Sequence, residues 1–254
     1  MSLNPRITDW HEKRVWIIGA SSGIGAALAA RLKQKGARLA VSARREADLH
    51  KVVGEGTLIM PLDVTHADSL KWIRDELLIQ WGGIDMVVYC AGVYTPMRSW
   101  ALDLSTVREG LETNLQGAYN LLEAILPCYL KQASGGICLL ASVAGYTGLP
   151  KALAYGPGKA ALINLAQILY TDLSAKGIGI YLVNPGFVDT RLTKQNEFHM
   201  PALVSAEQAA AEIVKGIGQG RFEIHFPRRF TYWMKLLSRL PDGLRFLLLK
   251  KAVE

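Results

Sequence analysis

The chain has 254 residues, 50% of them hydrophobic, and a formal net charge of +7. This length and composition suffice to bury a full hydrophobic core, and no run of 18 or more apolar residues predicts a membrane span. Residues 1–14 lack the apolar segment of a secretory signal. We therefore expect a cytoplasmic protein whose cysteines are free thiols rather than disulfides or metal ligands. These cysteines are Cys90, Cys128 and Cys138.

The positive charge is concentrated in the C-terminal part of the sequence. Residues 227–254 contain seven basic and two acidic side chains, so this segment carries +5 of the net +7. The rest of the chain is nearly balanced and lacks the basic face that a nucleic-acid-binding domain needs. We predict no nucleic-acid partner.

Short β-rich segments alternate with longer helical patterns between residues 14 and 226. The predicted strands are 14–18, 38–43, 57–63, 84–90, 135–142, 177–186 and 221–226. Helical patterns cover 26–36, 68–82, about 105–130, a segment that begins near 155, and 205–217. Apolar strands that alternate with helices predict an α/β fold with a parallel sheet covered on both faces. No linker or repeat interrupts the series, so we predict one domain over 1–226 and a basic, amphipathic helical extension over 227–254.

A glycine-rich turn separates the first strand from the first helix. Gly19, Gly23 and Gly25 have the spacing G-x-x-x-G-x-G. The pyrophosphate of a dinucleotide needs free backbone N–H groups at a helix N-terminus, and glycine allows the close approach. The turn therefore predicts a dinucleotide site, with a tight turn that binds nothing as the alternative.

The residues after the second strand indicate which dinucleotide binds. A site for NAD usually has a carboxylate there that accepts from the ribose 2′-hydroxyl. This chain has Arg44 and Arg45 instead, and a guanidinium suits a 2′-phosphate. We predict NADP(H), with Arg44 as its main contact and Ser21 as a second; a solvated arginine pair is the alternative.

Tyr155 and Lys159 lie four positions apart, so they share one face of a helix. An ammonium beside a phenol favours the phenolate and lowers its pKa, and such a phenol can exchange a proton with a carbonyl oxygen. Ser142 ends the fifth predicted strand. Since ligands of parallel sheets bind at the carboxyl ends of the strands, its hydroxyl is expected to donate to the same oxygen.

These motifs together resemble those of the short-chain dehydrogenase/reductase family, over about residues 13–226. "GASSGIG" resembles its glycine motif, Asp63-Val64 its adenine-contacting pair, and "CAG" at 90–92 its "NAG". "NLQG" with Asn114, and "NPGFVDT" at 184–190, match two further motifs. The resemblance implies a Rossmann-like, doubly wound parallel sheet and a homodimer or homotetramer. The cofactor-binding residues that it and the turn predict are Gly19, Ser21, Ser22, Gly23, Ile24, Gly25, Arg44, Asp63, Val64, Ala91, Gly92, Asn114, Tyr155, Lys159, Pro185, Val188 and Thr190.

The resemblance also implies a catalytic set. Tyr155 is expected to be the general acid/base, and Lys159 to lower its pKa and hold the ribose hydroxyls. Ser142 is expected to position the substrate oxygen, and Asn114 to hold a water that links Lys159 to solvent. The alternative for Asn114 is a polar residue at a helix kink without a catalytic part.

The chain departs from the family pattern at two places. Cys90 replaces an asparagine that braces the sheet. Gly156, Pro157 and Gly158 fill the interval between the catalytic tyrosine and lysine, and all three disfavour a helix interior. Because proline is tolerated in the first turn, the helix is expected either to start late, at about Tyr155 or Gly156, or to be locally distorted.

Loops beyond the strand ends are expected to hold the substrate, a small carbonyl or alcohol compound. They carry apolar side chains that predict a cavity for an apolar or amphipathic compound, unless these side chains fill core or an interface between copies. They are Tyr94, Met97, Trp100, Tyr146, Phe187, Phe198 and Met200.

The leading prediction of function is an NADPH-dependent carbonyl reductase. The alternatives are a 3-oxoacyl thioester reductase and a catalytically silent dinucleotide-binding regulator. The extension over 227–254 fits a helix docked as a lid or subunit contact, and it also fits a peripheral helix on the inner face of an anionic membrane.

Overall fold

The computed structural model of the protein describes residues 2–195 and 200–251. Seven parallel strands form one sheet with the order β3-β2-β1-β4-β5-β6-β7. The switch between β1 and β4 reverses the winding direction, which makes the sheet doubly wound. The strands are β1 (Arg14–Ile18), β2 (Arg38–Ser42), β3 (Leu58–Ile59), β4 (Met86–Tyr89), β5 (Gly135–Leu140), β6 (Ile178–Pro185) and β7 (Glu223–Phe226).

Helices cover both faces of this sheet, as the alternating pattern predicts. Their bounds are α1 (Gly23–Gln34), α2 (Glu46–His50), α3 (Ala67–Trp81), α4 (Leu104–Leu111), α5 (Gly117–Gln132), α6 (Tyr155–Leu173), α7 (Ala206–Gly218), α8 (Arg228–Arg239) and α9 (Asp242–Lys251). Along β1, Trp16 and Ile18 pack into the core beneath α3, α5 and α6. Val15 and Ile17 point the other way, into the core beneath α1, α2 and α7. The period of two in a strand thus gives the sheet two apolar faces.

Two predicted elements differ from those observed. The strand predicted over 57–63 pairs as a strand only at Leu58–Ile59, although Leu62 still donates a main-chain hydrogen bond to Ala43. The helix predicted over 105–130 is interrupted by a π-helical turn over Glu112–Gln116. Such a turn inserts a residue into the helical ladder and often marks a functional site.

The C-terminal extension begins directly after β7. Its helix α8 buries Thr231 and Met234 against the domain, while its opposite side faces solvent. No helix in 2–195 or 200–251 has the length and apolar character to cross a bilayer.

Candidate active site

The glycine turn between β1 and α1 is packed too closely for side chains. A β-carbon on Gly19 would lie 2.5 Å from the main-chain nitrogen of Ala91, and Gly19 has a φ of +89°. A β-carbon on Gly25 would lie 2.3 Å from the carbonyl oxygen of Gly19. Gly23 has a φ of +56° and faces the side chain of Thr190. Glycine is therefore required at all three positions.

A cleft of about 420 Å³ opens at the carboxyl ends of the strands, along this turn. Most of the residues predicted to bind a cofactor line it. They are Gly19, Ser21, Ser22, Gly23, Ile24, Gly25, Arg44, Asp63, Val64, Ala91, Gly92, Tyr155, Lys159, Pro185 and Thr190. Three predicted site residues, Asn114, Ser142 and Val188, do not line it directly.

The cleft is also lined by residues that the sequence analysis did not predict as part of the site. Thr95, Glu109 and Thr113 come from the loop after β4 and from the α4 region, and Leu192 and Gln195 from the loop after β6. For the loop residues, the only signal in the sequence is their position after strand ends. Glu109 lies on a helix and carries no such signal.

Arg44 and Asp63 lie together at one end of the cleft. Asp63 accepts hydrogen bonds from the amide and hydroxyl of Thr65, at 3.0 and 2.8 Å. Burial raises the pKa of Asp63, but the Thr65 hydrogen bonds and the positive charge of Arg44 outweigh it, so the pKa lies below its usual value. Arg45 is paired with Asp48, whereas Arg44 has no ion-pair partner within 2–195 and 200–251.

Tyr155 is partly buried where it lines the cleft, and its hydroxyl lies close to Ser142. Burial raises the pKa of Tyr155 to about 12, the Ser142 hydrogen bond lowers it, and nearby Tyr94 raises it. The rings of Tyr94 and Tyr155 meet edge to face, with centroids 5.1 Å apart. Ser142 also accepts a hydrogen bond from the amide of Ala144 at 3.1 Å, which orients its hydroxyl.

Lys159 lies on the same helical face as Tyr155, as the spacing predicts. Its Nζ is 5.4 Å from the centroid of the Tyr155 ring and donates to the carbonyl oxygen of Leu140 at 2.7 Å. Burial lowers the pKa of Lys159 to about 8, while Cys90 raises it. That Lys159 lowers the pKa of Tyr155 stays a prediction; in this arrangement its Nζ lies over the ring and bonds to Leu140.

Asn114 sits in the π-helical turn and is 1% exposed. Its Oδ1 accepts from the amide of Val93, and its Nδ2 donates to the carbonyl oxygen of Val93, both at 2.9 Å. A β-carbon on the neighbouring Gly92 would lie 3.0 Å from Asn114 Oδ1. Asn114 therefore holds the loop that follows β4, and the π-helical turn is the kink that the alternative interpretation expected.

The loop after β6 is anchored to the domain at Val188. This residue is buried, forms an isolated bridge with Val204 and does not line the cleft, so its contact with the cofactor stays a prediction. Thr193 donates to the carbonyl oxygen of Val188 at 2.6 Å. Thr190 and Pro185, on either side, do reach the cleft.

The Gly-Pro-Gly segment lies in the first turn of α6, which begins at Tyr155. Pro157 is the third helical residue, where the main-chain nitrogen needs no intrahelical partner. The helix thus starts at the residue where the late-start interpretation placed it. Gly158 and Lys159 are buried against neighbouring elements.

The apolar side chains predicted to form one substrate cavity are dispersed. Tyr94 lines the cleft, whereas Met97 is buried in a bridge with Ala152, and Trp100 is 80% exposed beside Arg98. Phe187 packs on Phe230 of α8, with ring centroids 5.5 Å apart. Phe198 lies outside the described residues, and Met200 does not line the cleft. A single cavity made of all these side chains is therefore not found in the described part of the chain.

A carboxylate connects the C-terminal extension to the loop after Ser142. Glu223 of β7 accepts hydrogen bonds from Tyr146, from Asn184 at 2.8 Å and from Lys235 of α8. Burial raises the pKa of Glu223, but these three donors lower it below its usual value. Tyr146 is thus an anchor of its loop rather than a wall of the cleft.

The sequence of this chain is similar to those of known oxidoreductases. A family profile described as short chain dehydrogenase matches residues 13–200. An uncharacterized oxidoreductase of Myxococcus xanthus is 35% identical over 235 residues, 90% of this chain and 92% of the relative. The 11-beta-hydroxysteroid dehydrogenase A of Sesamum indicum is 30% identical over 251 residues, 88% of this chain and 71% of that protein.

Two solved structures share the fold at low sequence identity. A short chain dehydrogenase from Burkholderia cenocepacia in complex with NADP has a TM-score of 0.82 at 21% identity, and the match covers 98% of this chain and 99% of the other. A short chain dehydrogenase/reductase from Burkholderia phymatum in complex with NAD has a TM-score of 0.83 at 23% identity, covering 91% and 94%. The doubly wound sheet, the profile match over most of its strands and the identity to the Myxococcus oxidoreductase establish that this chain belongs to the short-chain dehydrogenase family of oxidoreductases.

Proposed function

We propose that the protein is an NADP(H)-dependent oxidoreductase that transfers hydride between the nicotinamide and the carbonyl or alcohol carbon of an apolar or amphipathic substrate. The observation that carries this proposal is the placement of Tyr155 and the buried Lys159 on one face of α6 at the cleft, with Lys159 Nζ 5.4 Å from the centroid of the Tyr155 ring and Ser142 close to its hydroxyl. Two hydroxyl groups that converge on one point can bind and protonate a carbonyl oxygen.

The protonation states support proton donation from Tyr155. A pKa raised to about 12 keeps the phenol protonated at neutral pH, so it can donate to a carbonyl oxygen that gains negative charge. Ser142 donates to the same oxygen and orients it. Lys159, with a pKa of about 8, is mostly charged at neutral pH and lines the cleft, which supports a role in binding ribose hydroxyls. Asn114 acts as a positioning residue that holds Val93 in place.

The residues present fit a nicotinamide dinucleotide. Gly19, Gly23 and Gly25 line the cleft at the N-terminus of α1, in a turn too tight for side chains, so main-chain N–H groups face the space for the pyrophosphate. Arg44 lies at the Asp63 end without an ion-pair partner in the described ranges, which favours a ligand with a 2′-phosphate. The cofactor supplies the hydride when it is bound. Proton donation and the orientation of the substrate oxygen are carried out by side chains of this chain.

Two observations support an apolar or amphipathic substrate. The Sesamum indicum relative bears the name of a hydroxysteroid dehydrogenase, so a related chain is named for an apolar substrate. In this chain Tyr94 places an aromatic ring directly beside Tyr155.

Steady-state kinetics test the proposal with the purified full chain. Turnover of NADPH and NADH is followed by nicotinamide absorbance over ketones and aldehydes of increasing apolar length. We expect faster turnover with NADPH and an increase with length. Tyr155→Phe is expected to lower kcat by about 100-fold or more while NADPH binding is retained, since general acid catalysis contributes about that much. Tyr119→Phe, on the exposed side of α5, is the matched control.

Several outcomes would contradict the proposal. Full activity of the Tyr155→Phe variant would show that the Tyr155 hydroxyl is not the proton donor of the reaction. Turnover of acyl-carrier thioesters without turnover of free ketones would assign a 3-oxoacyl thioester reductase instead. Tight NADPH binding without turnover of either substrate class would assign a dinucleotide-binding regulator.

A further inference from the structure

The outer side of α8 carries large apolar side chains that nothing in the described chain covers. Its inner side is fixed, because Thr231 and Met234 are buried and Lys235 is paired with Glu223. On the opposite side, Trp233 is 70% exposed and Leu236 and Tyr232 are also exposed. The orientation of the helix therefore leaves its aromatic side facing solvent.

Helix α9, the next element along the chain, also exposes apolar side chains. Four of its side chains are exposed, namely Leu244, Phe246, Leu247 and Leu248. The helix also borders a cleft of about 510 Å³ with the loops after β4 and β5, where Phe246 and Leu249 face Leu149. The surface thus lies beside the loops that flank the candidate active site. We call the outer sides of α8 and α9 together the basic apolar face.

The charges on this face are almost all positive. Arg228, Arg229, Arg239 and Lys250 are exposed and have no acidic partner among the residues described. Two further cations of these helices, Lys235 and Arg245, are neutralised by Glu223 and Asp242. Exposed Trp and Leu interleaved with unpaired arginines match a lipid headgroup region, where aromatic rings lie at the interface and cations meet anionic lipids.

We propose that the basic apolar face binds the surface of an anionic lipid bilayer, with α8 lying in the plane of the headgroups. The inference is independent of the proposed oxidoreductase activity. A second copy of the chain is the weaker occupant, because a two-fold interface through this face would bring two positively charged faces together. An anionic bilayer instead offers each of the four cations a counter-charge.

Vesicle co-sedimentation with the full chain tests the proposal. The probes are phosphatidylcholine vesicles with and without about 30% phosphatidylglycerol, at low salt and at about 0.5 M NaCl. We expect binding to the anionic vesicles only, and its loss at high salt. Combined Arg228→Gln, Arg229→Gln and Arg239→Gln is expected to weaken the partition coefficient by about 100-fold, since each basic residue near the surface contributes about 1 kcal/mol. Trp233→Asp is expected to weaken it by at least a similar factor.

Matched controls distinguish this face from exposed residues in general. Trp72→Asp changes a tryptophan that is 59% exposed on α3, and it is expected to leave binding unchanged. Combined Lys35→Gln, Arg108→Gln and Lys176→Gln removes three exposed charges elsewhere. A urea unfolding midpoint within error of the wild type confirms that each variant is folded.

The proposal is overturned by any of three results. The first is failure of the wild type to bind anionic vesicles. The second is an equal loss of binding in the control variants. The third is a decrease in the sedimentation-velocity mass of Trp233→Asp without vesicle binding by the wild type, which would assign the face to an interface between copies.

Discussion

Lys159 donates a hydrogen bond from its buried Nζ to the main-chain carbonyl oxygen of Leu140, over 2.7 Å. The bond holds the ammonium at the end of β5, over the Tyr155 ring. It satisfies only one of the three donors of the ammonium group, so burial still penalises the charged form and lowers the pKa to about 8. Buried charges with a lowered pKa are common at functional sites.

This depressed pKa predicts that stability rises with pH. The unfolded chain binds the Lys159 proton up to a pKa of about 10.4, whereas the folded chain releases it near 8. Between these values the unfolded state holds more protons, so the free energy of unfolding increases with pH. Relative to Lys159→Met, the wild type is expected to gain up to about 3 kcal/mol across this window.

Urea unfolding at intervals between about pH 7.5 and 9.5 measures the larger part of this gain, below the range in which Tyr155 titrates. Lys176→Met, at an exposed position, is the control and is expected to track the wild type at every pH. A difference between wild type and Lys159→Met that is constant with pH would show that Lys159 keeps its ordinary pKa.

Arg44 is expected to determine the choice of cofactor. Arg44→Gln should weaken NADPH binding by about 10- to 100-fold, because a hydrogen bond to a charged group contributes about 1.5–3 kcal/mol, and should leave NADH binding unchanged. Dissociation constants from the nicotinamide fluorescence of each cofactor measure this. Arg45→Gln is the matched control, since Arg45 is engaged by Asp48. Equal effects on NADPH and NADH, or none on either, would contradict the NADP(H) assignment.

Local patterns predicted the fold and most of the site because the relevant periodicities are local. The i, i+4 spacing of Tyr155 and Lys159 was enough to place both on one face of α6. The hydrogen bond from Lys159 to Leu140 was not predictable, since it depends on how closely α6 packs on β5. The burial of Val188 was not predictable for a similar reason, because its bridge to Val204 joins segments 16 residues apart. These two features depend on contacts between segments that are distant in the sequence, and the spacing of residues along the chain does not reveal such contacts.

Glu223 and Lys235 are expected to couple the extension to the domain. Both side chains are about one-quarter exposed, so the pair is partly shielded from solvent. A double-mutant cycle with Glu223→Gln and Lys235→Met is expected to give a coupling energy of about 1–2 kcal/mol in urea unfolding. Amide hydrogen exchange in α8 should accelerate in each single variant.

An exposed ion pair provides the reference for this coupling. Lys71 and Glu123 are 3.1 Å apart with side chains 36% and 60% exposed. The corresponding cycle with Lys71→Met and Glu123→Gln is expected to give less than about 0.5 kcal/mol, as for exposed pairs in general. Equal couplings in the two cycles would show that Lys235 does not hold α8 on β7.

Two glycines in the first turn of α6, Gly156 and Gly158, differ in the space around them. Alanine substitutions at the two positions therefore distinguish the effect of helix propensity on stability from the effect of site geometry on activity. A β-carbon on Gly158 would lie 3.7 Å from Asn114 Cβ and from Leu111 Cδ2, which is ordinary contact. A β-carbon on Gly156 would lie 3.3 Å from the carbonyl oxygen of Ala144, in the turn that follows Ser142. Gly158→Ala is therefore expected to raise the free energy of unfolding by about 0.5–1 kcal/mol without loss of activity. Gly156→Ala is expected to gain no stability and to lower kcat/KM several-fold, because the turn that carries Ser142 must shift.

Gly243→Ala calibrates this comparison. A β-carbon on Gly243, in α9, would have no described atom within 4 Å, so the substitution reports the gain in helix propensity alone. Urea unfolding and kcat/KM are measured on the three variants in parallel. If Gly156→Ala matched Gly158→Ala in both stability and activity, the space between α6 and the Ser142 turn would not constrain the site. If Gly158→Ala lost activity, glycine at that position would itself be required for the reaction, and the segment between Tyr155 and Lys159 would be part of the catalytic machinery rather than a tolerated helix start.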